Sequence, residues 1–318
     1  MPALARPPSD VERIASLDAL RWAWLRVREN HGAAGGDGIT IARFEQMRDE
    51  QLLSLSDDLR SGAYQPGPVR TTLIRGPRKD RRIALLCLRD RVLQRAVLDL
   101  LGPRCERRFR PASFGYRTGL SLHDAVDRIV HLRNRGLTTV IDADIRSCFE
   151  RLDHAVLGDA IAAMLPGLDP GIQALLDAWI AMTPPRRARS GQPAPLARGI
   201  LQGAPISPLL CNIYLHRLDE AMARKRLSLV RYADDFILLF ADREAALVGL
   251  EALQAALDAI RLEINPDKSW ITSFAIGFDF LGVSFKDDEY RYCVEGKEIV
   301  IDDFPPGWFH YLAEGYGE

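Results

Sequence analysis

LSLVRYADDFILLF, Leu227–Phe240, decides the fold, because it sets two adjacent acids, Asp234 and Asp235, between two apolar runs. Leu227 to Tyr232 and Phe236 to Phe240 read as strands, and Ala-Asp-Asp between them as the tight turn of a β-hairpin. Acids placed there are costly if buried unpaired, so something cationic must compensate, and a divalent metal is the economical answer. TTVIDADIRSCF, Thr138–Phe149, carries the same signal. Its strand alternates, so Asp142 and Asp144 lie on one face of a sheet. Mg²⁺ prefers oxygen ligands and needs few protein carboxylates, so Asp144, Asp234 and Asp235 from two adjacent strands suffice. A lone Asp-Asp pair is ordinarily an exposed turn. Tyr-Ala-Asp-Asp between apolar strands, downstream of Asp-Ile-x-x-x-Phe, is poorly explained that way.

The remaining composition bounds the class. The chain has 318 residues, 47% of them hydrophobic and 27% charged, enough for one large or two ordinary domains of globular composition. No apolar run reaches the roughly 18 residues of a membrane span, and Met1 leads into a polar, Pro-rich start, so a cytoplasmic protein without a membrane partner is expected. Cys87, Cys105, Cys148, Cys211 and Cys293 show no CxxC or Cys/His spacing and read as reduced, buried thiols. The net charge is −1, yet its distribution is uneven. Arg60–Arg117 holds 15 basic against 4 acidic residues, whereas Lys286–Glu318 holds 3 basic against 9 acidic. A basic segment of that kind suits a polyanionic partner, although such residues are often only a solvated face.

Along the chain, residues 1–10 read as a disordered leader and Val11–Asn30 as one amphipathic helix. Thr40 caps a helix to about Arg60, Thr71–Ile74 is a strand before the basic turn GPRKDRR, and Asp90–Leu101 is a helix ended by Gly102-Pro103. Ser121 caps a helix to about Arg135, and two helices flank Pro166-Gly167. TPPRRARSGQPAP, Thr183–Pro195, is an exposed loop or hairpin. Pro205–Lys225 and Glu244–Arg261 are helical, and Phe278–Phe285 and Tyr290–Ile301 are short β candidates. The pattern is α+β, with helices packed on one antiparallel sheet. His123 and His154 read as helix-start packing residues beside Ser121 and Asp153.

These motifs, in order, resemble the reverse transcriptases of bacterial retroelements, nearest to the group II intron type and its CRISPR-associated relatives. GAAGGDGIT (32–40) resembles the family's N-terminal block. LRDRVLQRAVLDLL (88–101) and RPASFGYRTGLSLHDAV (110–126) resemble its fingers blocks, and ADIRSCFERLDH (143–154) the first catalytic block. LQGAPISPLLCNIYLHRLDEAM (201–222) resembles the fourth-motif helix, YADD (232–235) the second catalytic block, NPDKS (265–269) the block after it, and FDFLGVSF (278–285) the primer grip. The resemblance covers about Leu17–Phe285 and implies a right-handed polymerase, with fingers over 11–136, a palm over 137–285 and an acidic C-terminal segment over 286–318. It implies RNA-directed DNA synthesis: dNTPs joined to a DNA or RNA primer on an RNA template, by phosphoryl transfer that needs positioning and charge stabilisation more than covalent chemistry.

By the same resemblance Asp144, Asp234 and Asp235 hold two Mg²⁺ ions, which Mn²⁺ can replace, with the Ile145 carbonyl beside them. Phe149 is the bulky residue that clashes with a ribose 2′-hydroxyl, Gln202 and Gly203 line the incoming dNTP, and Lys268 is the lysine after YADD or else an exposed cap. Arg75 and Arg82 are the triphosphate candidates. The family commonly shows Ile-Pro-Lys where this chain has Ile74-Arg75-Gly76, and Arg78 or Lys79 can share the role. Arg89, Arg91, Arg95, Arg117 and Arg146 are placed near template or primer phosphates. Tyr232, Leu281 and Gly282 are placed at the primer.

Group II intron proteins continue into a helical thumb, a maturase region and often a nuclease. About 33 residues follow Phe285 here, a segment with a net acidic charge, so a reduced or absent thumb, or a partner that supplies it, is expected. The LQGAPISPLL block resembles stand-alone CRISPR-associated enzymes that work beside a spacer integrase in prokaryotic defence. Two other readings stay open: a palm-fold RNA-binding accessory protein without catalysis, and an untemplated or protein-primed polymerase of the abortive-infection kind.

Overall fold

A computed structural model describes residues 7–75, 81–182, 197–294 and 297–302. In chain order the helices are α1 (Asp10–Ile14), α2 (Leu17–Glu29), α3 (Ile41–Gln46), α4 (Arg48–Ser61), α5 (Leu88–Glu106), α6 (Leu122–Asn134), α7 (Cys148–Arg151), α8 (His154–Met164), α9 (Pro170–Ala181), α10 (Ser207–Arg224) and α11 (Arg243–Ala259). The strands are β1 (Arg70–Ile74), β2 (Arg81–Leu85), β3 (Thr139–Asp144), β4 (Ser228–Tyr232), β5 (Asp235–Phe240), β6 (Trp270–Ser273), β7 (Phe278–Phe280), β8 (Val283–Lys286), β9 (Glu289–Val294) and β10 (Lys297–Asp302). Instead of one antiparallel sheet the described residues form three: the ribbon β1-β2, a sheet ordered β4-β5-β3-β6, and a meander ordered β10-β9-β8-β7. Every pairing is antiparallel. The FDFLGVSF segment and its successor pair with each other and so build their own sheet.

Local chemistry explains where the elements depart from the sequence expectation. The single helix expected over Val11–Asn30 is two, because Ser16 adopts extended backbone, accepts from Ala19 N and donates its hydroxyl to Arg13 O. Residues 1–6 of the expected leader lie outside the described residues, but Ser9 already caps α1 through a reciprocal bond with Glu12. The helix after Thr40 is likewise divided, at Met47, whose φ of −110° and ψ of 14° are not helical. Conversely, α5 does not stop at Gly102-Pro103. A proline inside a helix costs about 3 kcal/mol. Here burial of Leu101 and Cys105 and the 2.8 Å Arg104–Asp10 ion pair hold the last turn in place. The expected loop Thr183–Pro195 and most of the basic turn after β1 lie outside the described residues.

Two compact units interleave along the chain: Met1–Arg108 with Phe149–Ile213, and Phe109–Cys148 with Tyr214–Glu318. The first holds the β1-β2 ribbon together with helices α1–α5, α8 and α9. Within it Trp179 Nε1 donates to Tyr64 Oη (3.1 Å), Tyr64 donates to Asp90 Oδ1 (2.8 Å), and Gly67 N donates to Asp90 Oδ2 (3.0 Å). Asp90 is buried, which pushes its carboxyl above the usual range, while the two donors pull it back. In the second unit, α6 and the aromatic residues Phe274, Phe278, Phe280, Phe285 and Tyr290 form a core with Val140, Val230, Ile237 and Leu239 of the four-stranded sheet. Cys87, Cys105, Cys148 and Cys211 are buried, and burial pushes the Cys87 thiol up to about 11. Among the described residues no helix is long and apolar enough to cross a membrane.

Tyr64→Phe removes the middle member of the buried chain and strands the Trp179 donor and one Asp90 oxygen. Urea unfolding is expected to show a loss of about 1–3 kcal/mol, with unchanged helix content by circular dichroism.

Candidate active site

The acids are placed by strand register. β3 and β5 pair so that Asp144 lies opposite Asp235 and Asp142 opposite Ile237, while β4 places Tyr232 opposite Asp235. Directly opposed residues share a face, so Asp142, Asp144, Asp235 and Tyr232 stand on the same side of the sheet. Ala233 and Asp234 form the two-residue loop between β4 and β5. Ala233 has φ 60°, at the first central position where a favoured hairpin turn normally uses glycine. Gly115 presses on this turn from the segment before α6. A Cβ added there would lie 2.4 Å from Ala233 N and 2.9 Å from Tyr232 C, so no side chain fits without moving the turn backbone.

Asp144 is held by residues of the NPDKS segment. Its backbone N donates to Ser269 Oγ (3.1 Å) and its carbonyl accepts from Asn265 N (2.8 Å). Asn265 Nδ2 donates to Asp144 Oδ2 at 3.1 Å, and Lys268 Nζ lies 3.5 Å from the same oxygen. Ile145 is buried and bridges Ile264, and Arg146 N donates to Glu263 O. Lys268 is therefore drawn to the first acid, and the lysine's side chain is 60% exposed. Asp142 reports the local charge: burial first, then Asp235, Asp144 and Asp279, push its carboxyl up to about 6.

That accumulation of negative charge fits a hard cation, and the candidate donors, carboxylates and the Ile145 carbonyl, are all oxygens, as Mg²⁺ prefers. Among the described residues no three acidic, imidazole or thiol groups already form a closed ligand cage. The donor chemistry fits; a closed cage requires the carboxylates to converge on an ion. The fold supplies the facing carboxylates, and the Lys268 ammonium stands beside Asp144.

The nucleotide candidates belong to the other unit. Ala84 N donates to Gln202 O (2.7 Å), tying Gln202-Gly203 to β2. Gly203 has φ 96°, and a Cβ there would meet Ile83 Cγ2 at 2.5 Å and Ala84 O at 2.8 Å, so glycine is required. Phe149 is buried, and its carbonyl accepts from Ile200 N (2.8 Å), two residues before Gln202. This unit therefore gathers Phe149, Gln202, Gly203 and β2, which carries an exposed Arg82; Arg75 lies exposed just past β1. Arg78 and Lys79 lie outside the described residues.

The other basic candidates have internal partners. Arg89 pairs with Asp58, Arg91 Nη2 donates to Ala33 O (2.6 Å), and Arg95 meets Asp99 at 2.8 Å. Arg117 Nη1 donates to Arg110 O (2.8 Å) and Ser113 O (2.6 Å), and its guanidinium lies over Phe109. Leu281 (φ 55°) and Gly282 (φ 79°) form the β7–β8 turn. His154 opens α8 and its Nε2 bonds the Gly199 carbonyl at 2.7 Å, a packing role. Sequence reasoning missed Asn265, Ser269 and Arg231. Asn265 and Ser269 flank the quoted lysine, while Arg231 is a charge inside an apolar strand, which alone signals a buried partner.

A family model described as "Reverse transcriptase (RNA-dependent DNA polymerase)" matches residues 73–285. Protein YkfC of Escherichia coli (strain K12) is 29% identical over 311 residues, covering 85% of this chain and 80% of that protein. The Group II intron-encoded protein LtrA of Lactococcus lactis subsp. cremoris is 27% identical over 220 residues, covering 68% of this chain but 35% of that protein. Among solved structures, apo telomerase from Candida tropicalis, truncated from the C-terminal domain, superposes with a TM-score of 0.53 at 17% identity, covering 79% of this chain and 59% of that one. That likeness concerns the fold.

Asp142 also yields a pH prediction in metal-free buffer. Its folded pKa of about 6 lies above the usual 3.8, so the folded state binds more protons between those values. Its contribution is thus most favourable below the unfolded pKa and is lost as pH rises through the folded one. Asp142→Asn is expected to raise Tm at pH 7–8 with EDTA present, and the gain should vanish below about pH 4. A gain independent of pH would contradict this account.

Proposed function

The chain belongs to the reverse transcriptase family of RNA-dependent DNA polymerases, and on that premise we propose that it extends a DNA or RNA primer on an RNA template with dNTPs. The observation that carries this reading is the register opposing Asp144 to Asp235 on one sheet face, with Asp142 registering their combined charge. The primer 3′-oxygen bonds to the α-phosphorus of the incoming nucleotide as the bond to the departing pyrophosphate breaks. Asp144, Asp234 and Asp235 would hold two Mg²⁺, with Mn²⁺ able to substitute, and such ions draw attacking and leaving oxygens into line.

The chain's own residues have distinct tasks in this scheme. Asn265 and Ser269 orient Asp144, and Lys268 neutralises it until substrate and metal arrive. Gln202 and Gly203 line the nucleotide, with Gly203 letting the backbone lie close against β2, Phe149 excludes a 2′-hydroxyl, and Arg75 and Arg82 take triphosphate oxygens through their guanidinium forks. Arg89, Arg91, Arg95, Arg117 and Arg146 form the basic ground for nucleic acid, with Tyr232, Leu281 and Gly282 at the primer. Fingers over 11–136 and a palm over 137–285 are the functional naming we give these segments.

The setting we infer is a prokaryotic retroelement or CRISPR-type defence system in the cytoplasm, with a spacer integrase as protein partner. It rests on the likeness of the LQGAPISPLL block to stand-alone enzymes of that kind. Co-purification with the product of a neighbouring integrase gene tests it; the absence of any complex at micromolar concentrations counts against it.

Primer extension on poly(rA)/oligo(dT) with Mg²⁺ tests the activity. dTTP incorporation is expected from the native chain and not from Asp234→Ala, with hybrid binding retained. RNA binding without incorporation in Mg²⁺ or Mn²⁺ would return the accessory reading, and incorporation that ignores the template would return the untemplated one. Phe149→Val is expected to raise rNTP incorporation relative to dNTP by about tenfold or more, read from kcat/KM for each nucleotide.

A further inference from the structure

Behind the Ala233-Asp234 turn lies a pair of charges for which nucleotide addition has no evident use. The side chains of Arg231 and Asp219 are both 0% exposed. Arg231 Nε donates to Asp219 Oδ1 at 2.7 Å and Nη2 to Oδ2 at 2.6 Å, a fork on a fork. Its remaining terminal nitrogen, Nη1, donates to the backbone carbonyl of Ala233 at 2.7 Å. Arg231 lies opposite Phe236, on the face of the sheet away from Tyr232, Asp235 and Asp144, so it does not face the reacting groups.

A buried ion pair is a poor way to gain stability, since apolar residues of similar volume often serve as well or better. Its presence here therefore asks for another reason, and the third bond supplies it. The guanidinium is planar and cannot rotate toward or away from Ala233 without breaking both bonds to Asp219. Asp219 sits in α10. The arginine's own backbone is clamped as well: Arg231 N donates to Ala112 O and Arg231 O accepts from Phe114 N, both at 2.8 Å. The Ala233 carbonyl is thus held by a donor whose direction is set on three sides. It belongs to a residue with left-handed backbone, a conformation a non-glycine residue adopts at a cost and only where its surroundings impose it. The two metal-site acids follow immediately in the chain.

We propose that Arg231 is a positioning residue that aims the Asp234-Asp235 turn through the Ala233 carbonyl, with Asp219 as its anchor. The role rests on the reading of that turn as a metal-holding element. It explains why a charge stands inside an otherwise apolar strand, and why the segment carrying Gly115 must come so close to the turn. The helix α10 then contributes to the site through one bond relay, without touching substrate.

The test separates aim from support. The double variant Arg231→Met/Asp219→Leu removes both charges together, which leaves no buried unpaired charge and takes from the Ala233 carbonyl only its guanidinium donor, so it is expected to keep a cooperative melt. Arg231→Lys keeps the charge opposite Asp219 but has no fork to serve Asp219 and Ala233 at once. Mn²⁺ binding by calorimetry on the full chain, without nucleotide, is the first readout. Both variants are expected to bind Mn²⁺ about tenfold or more weaker, the scale of one lost buried hydrogen bond. kcat for dTTP should fall by at least that factor, while binding of the RNA–DNA hybrid stays within about threefold. Mn²⁺ affinity within about twofold of the native chain, in a variant that melts cooperatively, overturns the proposal. Loss of the cooperative melt in both variants also overturns it, because the pair would then hold up the core rather than aim the turn. If the native chain binds Mn²⁺ but incorporates nothing, the functional reading fails, and the Mn²⁺ comparison still decides the role of Arg231.

Discussion

The antiparallel register of β3 with β5 is the constraint on which the acid-bearing unit of this protein depends. Val140 opposite Leu239, Asp142 opposite Ile237 and Asp144 opposite Asp235 put apolar residues at one end of a face and acids at the other. A slip of one residue would turn every side chain of one strand to the opposite face, burying Asp144 in the core and exposing Ile141 and Ala143. The hydrophobic core therefore protects the register, and the register in turn creates a concentration of negative charge that no isolated hairpin would tolerate. The core formed by α6, the β7–β10 meander and Val140, Val230, Ile237 and Leu239 is thus part of the chemistry.

The second unit handles its charges in three different ways. Arg231 and Asp219, out of water altogether, neutralise one another in a bidentate pair. Asp144, partly exposed, takes a long contact from the Lys268 ammonium and a hydrogen bond from the Asn265 amide, both easily exchanged. Asp142 is given no cation of its own and answers by a raised pKa. The gradation runs from permanent neutralisation behind the turn to incomplete neutralisation at the open face. A site meant to receive an external cation needs this arrangement, because a fully paired set of acids would have no affinity left to offer.

In the first unit, the nucleotide candidates are arranged by backbone more than by side chains. Gln202-Gly203 is tied to β2 by the Ala84 amide, and glycine alone tolerates both the φ of 96° and the 2.5 Å approach to Ile83. Phe149 is fixed through its carbonyl to Ile200, so the bulk of its ring is delivered by a short backbone bridge rather than by a flexible loop. Rigid backbone contacts of this kind suit selection by shape, where a displacement of a few tenths of an ångström would blur a steric limit.

What the sequence by itself determined was the hairpin that carries Asp234 and Asp235 and the shared face of Asp142 and Asp144; that Asp235 stands on that same face followed from the register. Alternation in VIDAD and the apolar strands around YADD follow directly from the period of a β-strand. Helix starts with a capping side chain, at Ser121 and Thr40, were legible for the same local reason. The breaks at Ser16 and Met47 and the passage of α5 through Pro103 were not, because they turn on whether distant packing outweighs a local preference. The third dimension also decided that the described strands form three sheets instead of one, since strand partners are chosen by the chain's path and not by strand propensity. It alone showed that Arg231 meets Asp219, twelve residues back on a helix, and that Asn265 and Ser269 reach Asp144 from over a hundred residues away. Hydrogen bonds and ion pairs act over about 3 Å in space and carry no periodicity along a chain, so a single sequence names such residues without naming their partners.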